Sequence, residues 1–254
     1  MSRQGHSGVT FKDNPLIAIG AGKSVKNSSA TPLASRSVSI ADTRQVLASH
    51  SATYTVPANT GESLTLVSAS ASDTAVAVRV SGLDGDFKEH TETVILTGIT
   101  PVAVPGTWTR VNELTVTSPA APVGIVQIEG SAVFAEILPG VNRSRTGIYS
   151  APAGYSMQVL DIVATMVRTQ GNADASGIVY ISYSLIVDIE DVWTNLAVIE
   201  AFSFGLQRRG NSVISLPVLI PVTTNGPIDV IYEGEADAAP AEMSIRTTVL
   251  LEQL

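Results

Sequence analysis

Met243, Ile245, Thr247, Val249 and Leu251 alternate with Ser244, Arg246, Thr248 and Glu252 near the end of the chain. The same period of two recurs at Val76, Val78 and Val80, and again at Ile181, Tyr183, Leu185, Val187 and Ile189. A two-residue period puts successive side chains on opposite faces of a pleated strand, whereas one helix face recurs every 3.6 residues. No segment beyond about ten residues holds a helical period. Strand patterns are expected over 63–70, 75–81, 92–97, 108–117, 124–128 and 132–138. Further patterns follow over 155–168 (bent midway), 181–189, 196–204, 213–221 (cut by Pro217), 227–232 and 243–252. Val, Ile, Thr and Ser crowd these runs, and Gly/Pro or Gly/Asp clusters such as Ser81–Asp86 separate them. The fold class implied is all-β, two tandem antiparallel β-sandwich or jelly-roll-like domains.

The division into two rests on a doubled phrase. Tyr54-Thr55-Val56-Pro57-Ala58 and Tyr149-Ser150-Ala151-Pro152-Ala153 stand 95 residues apart, and each precedes a long alternating run. We therefore expect an extended basic arm and linker over 1–50, a first sandwich over 51–145 and a second over 146–254. Within 1–38, Gly5, Gly8, Gly20 and Gly22 with Pro15 and Pro32 break regular structure. Residues 41–49 are compatible with a short helix capped by Ser39 or Asp42.

The net charge of −8 is unevenly spread. Residues 1–50 hold Arg3, Lys12, Lys23, Lys26, Arg36 and Arg44 against Asp13 and Asp42, a net of +4, which leaves −12 for the rest. A basic arm on an acidic body is suited to docking on another copy of that body. The candidate interface residues are Arg3, Lys12, Lys23 and Lys26 with the apolar patch Leu16, Ile17 and Ile19. To these we add Arg143, Arg145, Arg208 and Arg209, four cations able to pair across a subunit interface with acidic loops. Six scattered cations without interleaved aromatics make a thin footprint for nucleic acid, so no direct nucleic-acid partner is expected.

Catalytic chemistry finds no pattern here. Gly20-Ala21-Gly22-Lys23-Ser24 lacks the first glycine of a phosphate loop, since Ile17 stands there. His6, His50 and His90 are isolated, and no serine occupies a Gly-x-Ser-x-Gly elbow. Carboxylates gather at Asp84/Asp86, at Asp188/Glu190/Asp191 and at Glu233/Glu235/Asp237, without the calcium-loop order. Zero cysteines remove disulfides and thiolate metal sites. We expect no enzyme, no cofactor and no metal. The mean hydropathy of +0.27 is high, but no apolar run approaches the roughly 18 residues of a membrane span. The first eight residues carry no apolar core of a signal peptide. Trp108 and Trp193 are read as core or interface anchors; an exposed ring would instead favour sugar stacking and a carbohydrate-binding adhesin.

One stretch resembles a known family. Val80-Ser81-Gly82-Leu83-Asp84, then Glu92-Thr93-Val94-Ile95-Leu96-Thr97-Gly98, then Thr109-Arg110-Val111-Asn112, resembles a recurrent phrase in structural proteins of tailed bacteriophages. The opening Tyr149-Ser150-Ala151-Pro152-Ala153-Gly154-Tyr155 is similar to the second half of those proteins. The resemblance spans roughly residues 53–254. It implies a virion location, synthesis in the host bacterial cytoplasm, and a homo-oligomer, a trimer for example. The implied partners are the major capsid protein or tail proteins, and the implied role is capsid decoration or cement, with a tail or head–tail appendage as alternative.

Overall fold

The structure is a computed structural model that describes residues 28–40, 43–168, 175–189, 192–208, 211–216, 220–222, 226–236 and 241–253. It is all-β and antiparallel, with no helix among the described residues. Its strands are β1 Ser28–Ile40, β2 Gln45–Val46, β3 Glu62–Ser68, β4 Ala77–Asp84, β5 Glu89–Ile95, β6 Val102–Val116, β7 Val126–Glu129 and β8 Val133–Ile137. They continue with β9 Ile148–Ala151, β10 Tyr155–Arg168, β11 Ala175–Ile189, β12 Val192–Arg208, β13 Asn211–Leu216, β14 Ile220–Val222, β15 Ile228–Ala236 and β16 Ala241–Gln253.

Strands β3 to β8 close among themselves into a six-stranded sheet ordered β5-β4-β6-β3-β7-β8. The long β6 is shared: its first half pairs with β3 and its second with β4. The alternation of Leu64 and Leu66, of Val78 and Val80, and of Val126 and Ile128 puts these side chains in one core around Trp108. At about 25 cal/mol per Å² of apolar surface, each such large side chain contributes about 1.5–3 kcal/mol.

The remaining strands form two five-stranded sheets. One runs β1-β16-β10-β13, with β14 also on β10, and the other runs β12-β11-β15-β2, with β9 also on β15. Their inner faces share a core that includes Met157, Ile162, Met243 and Val249 from one sheet and Val179, Ile181, Val230 and Tyr232 from the other. The Tyr232 hydroxyl meets the Thr247 hydroxyl at 2.8 Å across the sandwich. Met243 packs so tightly on the opposite sheet that a Cβ at Gly234 would lie 2.8 Å from its sulfur.

Several expectations change. Residues 28–40, placed by sequence in an arm, form β1 and pair with β16 from Ser28↔Glu252 to Ile40↔Ala241. No helix forms in 43–49: Gln45 and Val46 pair with β15, and the Leu47 amide donates to the Tyr232 carbonyl at 2.8 Å. Tertiary partners take the backbone groups that a helix would have used. Strand β6 begins six residues earlier than the expected start at 108, passing through Pro105 and Gly106. The bend expected midway in 155–168 is a register shift between Val159 and Asp161. The break expected at Pro217 falls between β13 and β14, both of which pair with β10.

Candidate functional site: a buried junction beside an arginine-lined cleft

Strand β15 has both faces covered. Ile228, Val230 and Tyr232 face the sandwich core, while Ile231 joins a second cluster with Val46, Ala48 and Ile148, against which Tyr54 and Val56 pack. Asp229 shares the parity of Ile231 and is fully buried. A carboxylate in such a place needs a counter-charge or several donors.

Arg110 of β6 supplies the charge. Its Nε donates to both Asp229 oxygens at 2.9 and 3.0 Å, and the two side chains are 1% and 0% exposed. The guanidinium also donates to the Thr109 carbonyl at 2.5 Å, the Asn59 Oδ1 at 2.9 Å and the Pro57 carbonyl at 3.4 Å. The Tyr54 hydroxyl donates to the second Asp229 oxygen. Burial, and then the Asp229 charge, push the Tyr54 phenol well above its ordinary range, so it stays a donor. Two positions along β6, Asn112 continues the seam. Its amide donates to the Ser150 carbonyl at 2.9 Å, and its Oδ1 accepts from the Ser150 amide at 2.8 Å.

The doubled phrase therefore converges on one place. Tyr54 and Pro57 come from its first copy, and Ser150 of β9 from its second. Some residues of the family resemblance lie there too. Asp84 Oδ1 accepts from the amides of Asp86 and Lys88, at 2.8 and 2.9 Å, and shapes the β4–β5 hairpin. Phe87, at φ 56°, turns fully inward with its ring 5.6 Å from the Arg110 guanidinium carbon. Its carbonyl accepts from the Ala153 amide at 3.0 Å. Gly82 lies flat on β6: a Cβ there would stand 2.0 Å from the Arg110 carbonyl oxygen.

Beside this seam opens a cleft of about 680 Å³, lined in part by Arg143, Arg145, Arg246, Glu89, Glu113 and Val141. Arg143 is held by Glu113 at 2.5 Å. Arg145 and Arg246 are exposed and make no ion pair among the described residues. The sequence placed Arg143 and Arg145 among candidate interface residues, and the fold brings them to one cleft. Of the others, Arg3, Lys12, Leu16, Ile17, Ile19, Lys23, Lys26 and Arg209 lie outside the described residues. Arg208 ends β12, paired with Ala175.

Other singled-out residues turn out to be structural. Asp84 builds its hairpin, and Asp86 pairs with Lys88 at 3.1 Å. Glu233 receives Arg44 at 2.6 Å, and Arg44 also lies 4.2 Å over the Tyr180 ring, so this acidic strand is engaged within the chain. Glu235 accepts from the Tyr180 hydroxyl at 2.7 Å. Trp108 is fully buried with its indole N–H on the Pro105 carbonyl at 3.0 Å, and the His90 ring lies tilted against it with centroids 4.6 Å apart. That ring offers no face to a sugar. The Trp193 side chain, His6, residues 20–24 and the pair Glu190/Asp191 lie outside what is described. No group of three or more histidine or carboxylate ligands forms among the described residues.

Sequence reasoning missed Asp73 and Asp229. Asp73 is buried and accepts from the Ser68 hydroxyl at 2.6 Å and from the Val123 and Gly124 amides at 2.9 and 3.0 Å. Burial opposes its ionisation, but these three donors outweigh it and hold the carboxyl below its ordinary range. Asp229 carried one signal: it is the single charge inside the apolar run Pro227–Tyr232.

No family model matches the chain, and no curated protein matches it. Among solved structures, a chain of infectious bursal disease virus Gt strain aligns at 12% identity and a TM-score of 0.26, covering 91% of this chain and 74% of that one. A chain of the Gx strain aligns at 9% identity and 0.21, covering 89% and 69%. A chain of the infectious bursal disease virus VP2 subviral particle aligns at 11% and 0.20, covering 90% and 77%. Likenesses this distant carry no functional weight.

Proposed function

We propose that this chain is a non-enzymatic structural subunit of a virus particle, in the first instance a tailed-bacteriophage capsid decoration or cement protein. The observation that carries the reading is the buried Arg110–Asp229–Tyr54 clamp. It joins the sheet of 62–137 to the sandwich of 148–253, and three residues that resemble the phage phrase, Arg110, Asn112 and Ser150, lie on that join. Two β units fixed this way move as one rigid block, and rigidity with a large contact surface is what a repeated shell component needs. In this reading the units are 51–145 and 146–254, strands β1 and β2 belong to the second unit's sheets, and residues 1–27 form the docking arm.

The test is co-sedimentation with intact particles purified on a density gradient. The chain is expected in the particle band at a fixed ratio to the shell protein, and its absence from particles refutes the proposal. Deleting 1–27, which spares β1, is expected to abolish incorporation while leaving the unfolding midpoint unchanged; undiminished incorporation rules out the docking arm.

A further inference from the structure

Strand β11 pairs with β15 from Gly177↔Ala236 to Leu185↔Ile228 and then outruns it. The last four rungs of the β11–β12 hairpin, Ile186↔Asn195 to Ile189↔Val192, have no third strand among the described residues. The base of this ribbon is packed, with Ile186 1% exposed, but its outer rungs have no neighbouring strand among the described residues, and an uncovered two-stranded end is marginal in water. Here Asp188 and Thr194 are exposed and Val192 is 60% exposed, so the ribbon carries an acidic and an apolar side chain into solvent.

The arginine cleft has the complementary chemistry. Arg145 and Arg246 make no ion pair there among the described residues, though Glu89 shares the cleft lining, and Val141, 39% exposed, supplies apolar surface. On a chain of net charge −8, two guanidinium groups that make no ion pair among the described residues offer one concave place suited to an acidic protein segment. Arg143 is not needed for this, because Glu113 already neutralises it.

We infer that the β11–β12 ribbon end of one copy, through Asp188 and Val192, seats in the Arg145/Arg246 cleft of a second copy. The contact is head-to-tail rather than two-fold, so repetition builds a ring or an array instead of an isolated dimer. This deepens the self-assembly in the proposed function but does not depend on which particle holds the chain, and its test uses purified protein alone.

The experiment is sedimentation equilibrium of the full chain over a concentration series, at low and at high salt. The wild type is expected to associate beyond a dimer, more weakly as salt rises. The cleft variant Arg145→Glu/Arg246→Glu and the ribbon variant Asp188→Lys are each expected to associate roughly 10- to 100-fold more weakly. Mixing the two variants is expected to restore association, because each then meets an oppositely charged partner. Circular dichroism and unfolding midpoints matching the wild type establish that the variants fold; Val192→Ser, which reverses no charge, is expected to weaken association as well. A wild-type chain that stays monomeric, as it would if the cleft received some other acidic protein, overturns the inference. So do variants that associate like the wild type, or a mixture that fails to recover. Failure here leaves particle co-sedimentation untouched, and absence from particles leaves this contact untouched.

Discussion

Asp229→Ala is the perturbation that most directly probes the junction. The substitution leaves the Arg110 guanidinium 1% exposed, facing only neutral acceptors at Thr109, Asn59 and Pro57. Stranding a buried charge in this way costs about 3–5 kcal/mol. The Tyr54 hydroxyl also loses its acceptor, which adds about 1 kcal/mol. Against a domain stability of about 5–15 kcal/mol that is a large fraction. Urea unfolding is followed by Trp108 fluorescence in a Trp193→Phe background, which reports the six-stranded sheet, and by far-ultraviolet circular dichroism, which reports all sheets. The two transitions are expected to coincide in the parent and to separate in Asp229→Ala, because the clamp couples the units. Arg110→Met/Asp229→Leu removes both charges and is expected to recover most of the loss. A loss below about 1 kcal/mol with coincident transitions would refute the reasoning, since a buried pair that joined the units could not be broken so cheaply.

Gly82→Ala forces a Cβ to within 2.0 Å of the Arg110 carbonyl oxygen, so chemical denaturation is expected to show a loss of about 3 kcal/mol or more. Gly234→Ala meets the flexible Met243 sulfur at 2.8 Å instead; adding Met243→Ala is expected to be non-additive in a double-mutant cycle. Burial lowers His50 from 6.5 to about 4, so the fold favours its neutral form. The unfolded chain takes up the proton first. The stabilisation is therefore complete above pH 6.5 and is lost as pH falls towards 4, with a ceiling of about 3 kcal/mol that residual solvent contact reduces. His50→Gln is expected to flatten the melting temperature across that window.

The sheets were legible where one face is buried and the other is not. Strand β16 reads directly, since Met243, Ile245 and Val249 face the core and Ser244 and Arg246 do not. Strand β1 was hidden because its sequence, rich in serine with Pro32 in the middle, has the composition of an edge or a linker. It becomes a strand because β16 offers it an open edge. The start of β6 was hidden by Pro105 and Gly106, which read as a turn but lie within the strand. The doubled phrase was legible in the sequence, but its two copies precede unlike arrangements, one six-stranded sheet and a pair of five-stranded sheets. That both copies meet at one buried carboxylate was not legible, because the distance from Tyr54 to Asp229 closes only through tertiary structure. Charge bookkeeping found Arg143 and Arg145, and the fold added Arg246, which sequence alone places among the alternating positions of a strand.

The number of copies of this chain in each purified particle tests the central claim most directly. Quantitative mass spectrometry of gradient-purified particles, scaled to the major shell protein, is expected to return on the order of hundreds of copies per particle, as a repeated shell component requires. A small ring number would move the chain from the shell to a tail or head–tail position, and its absence would contradict a structural role in the particle.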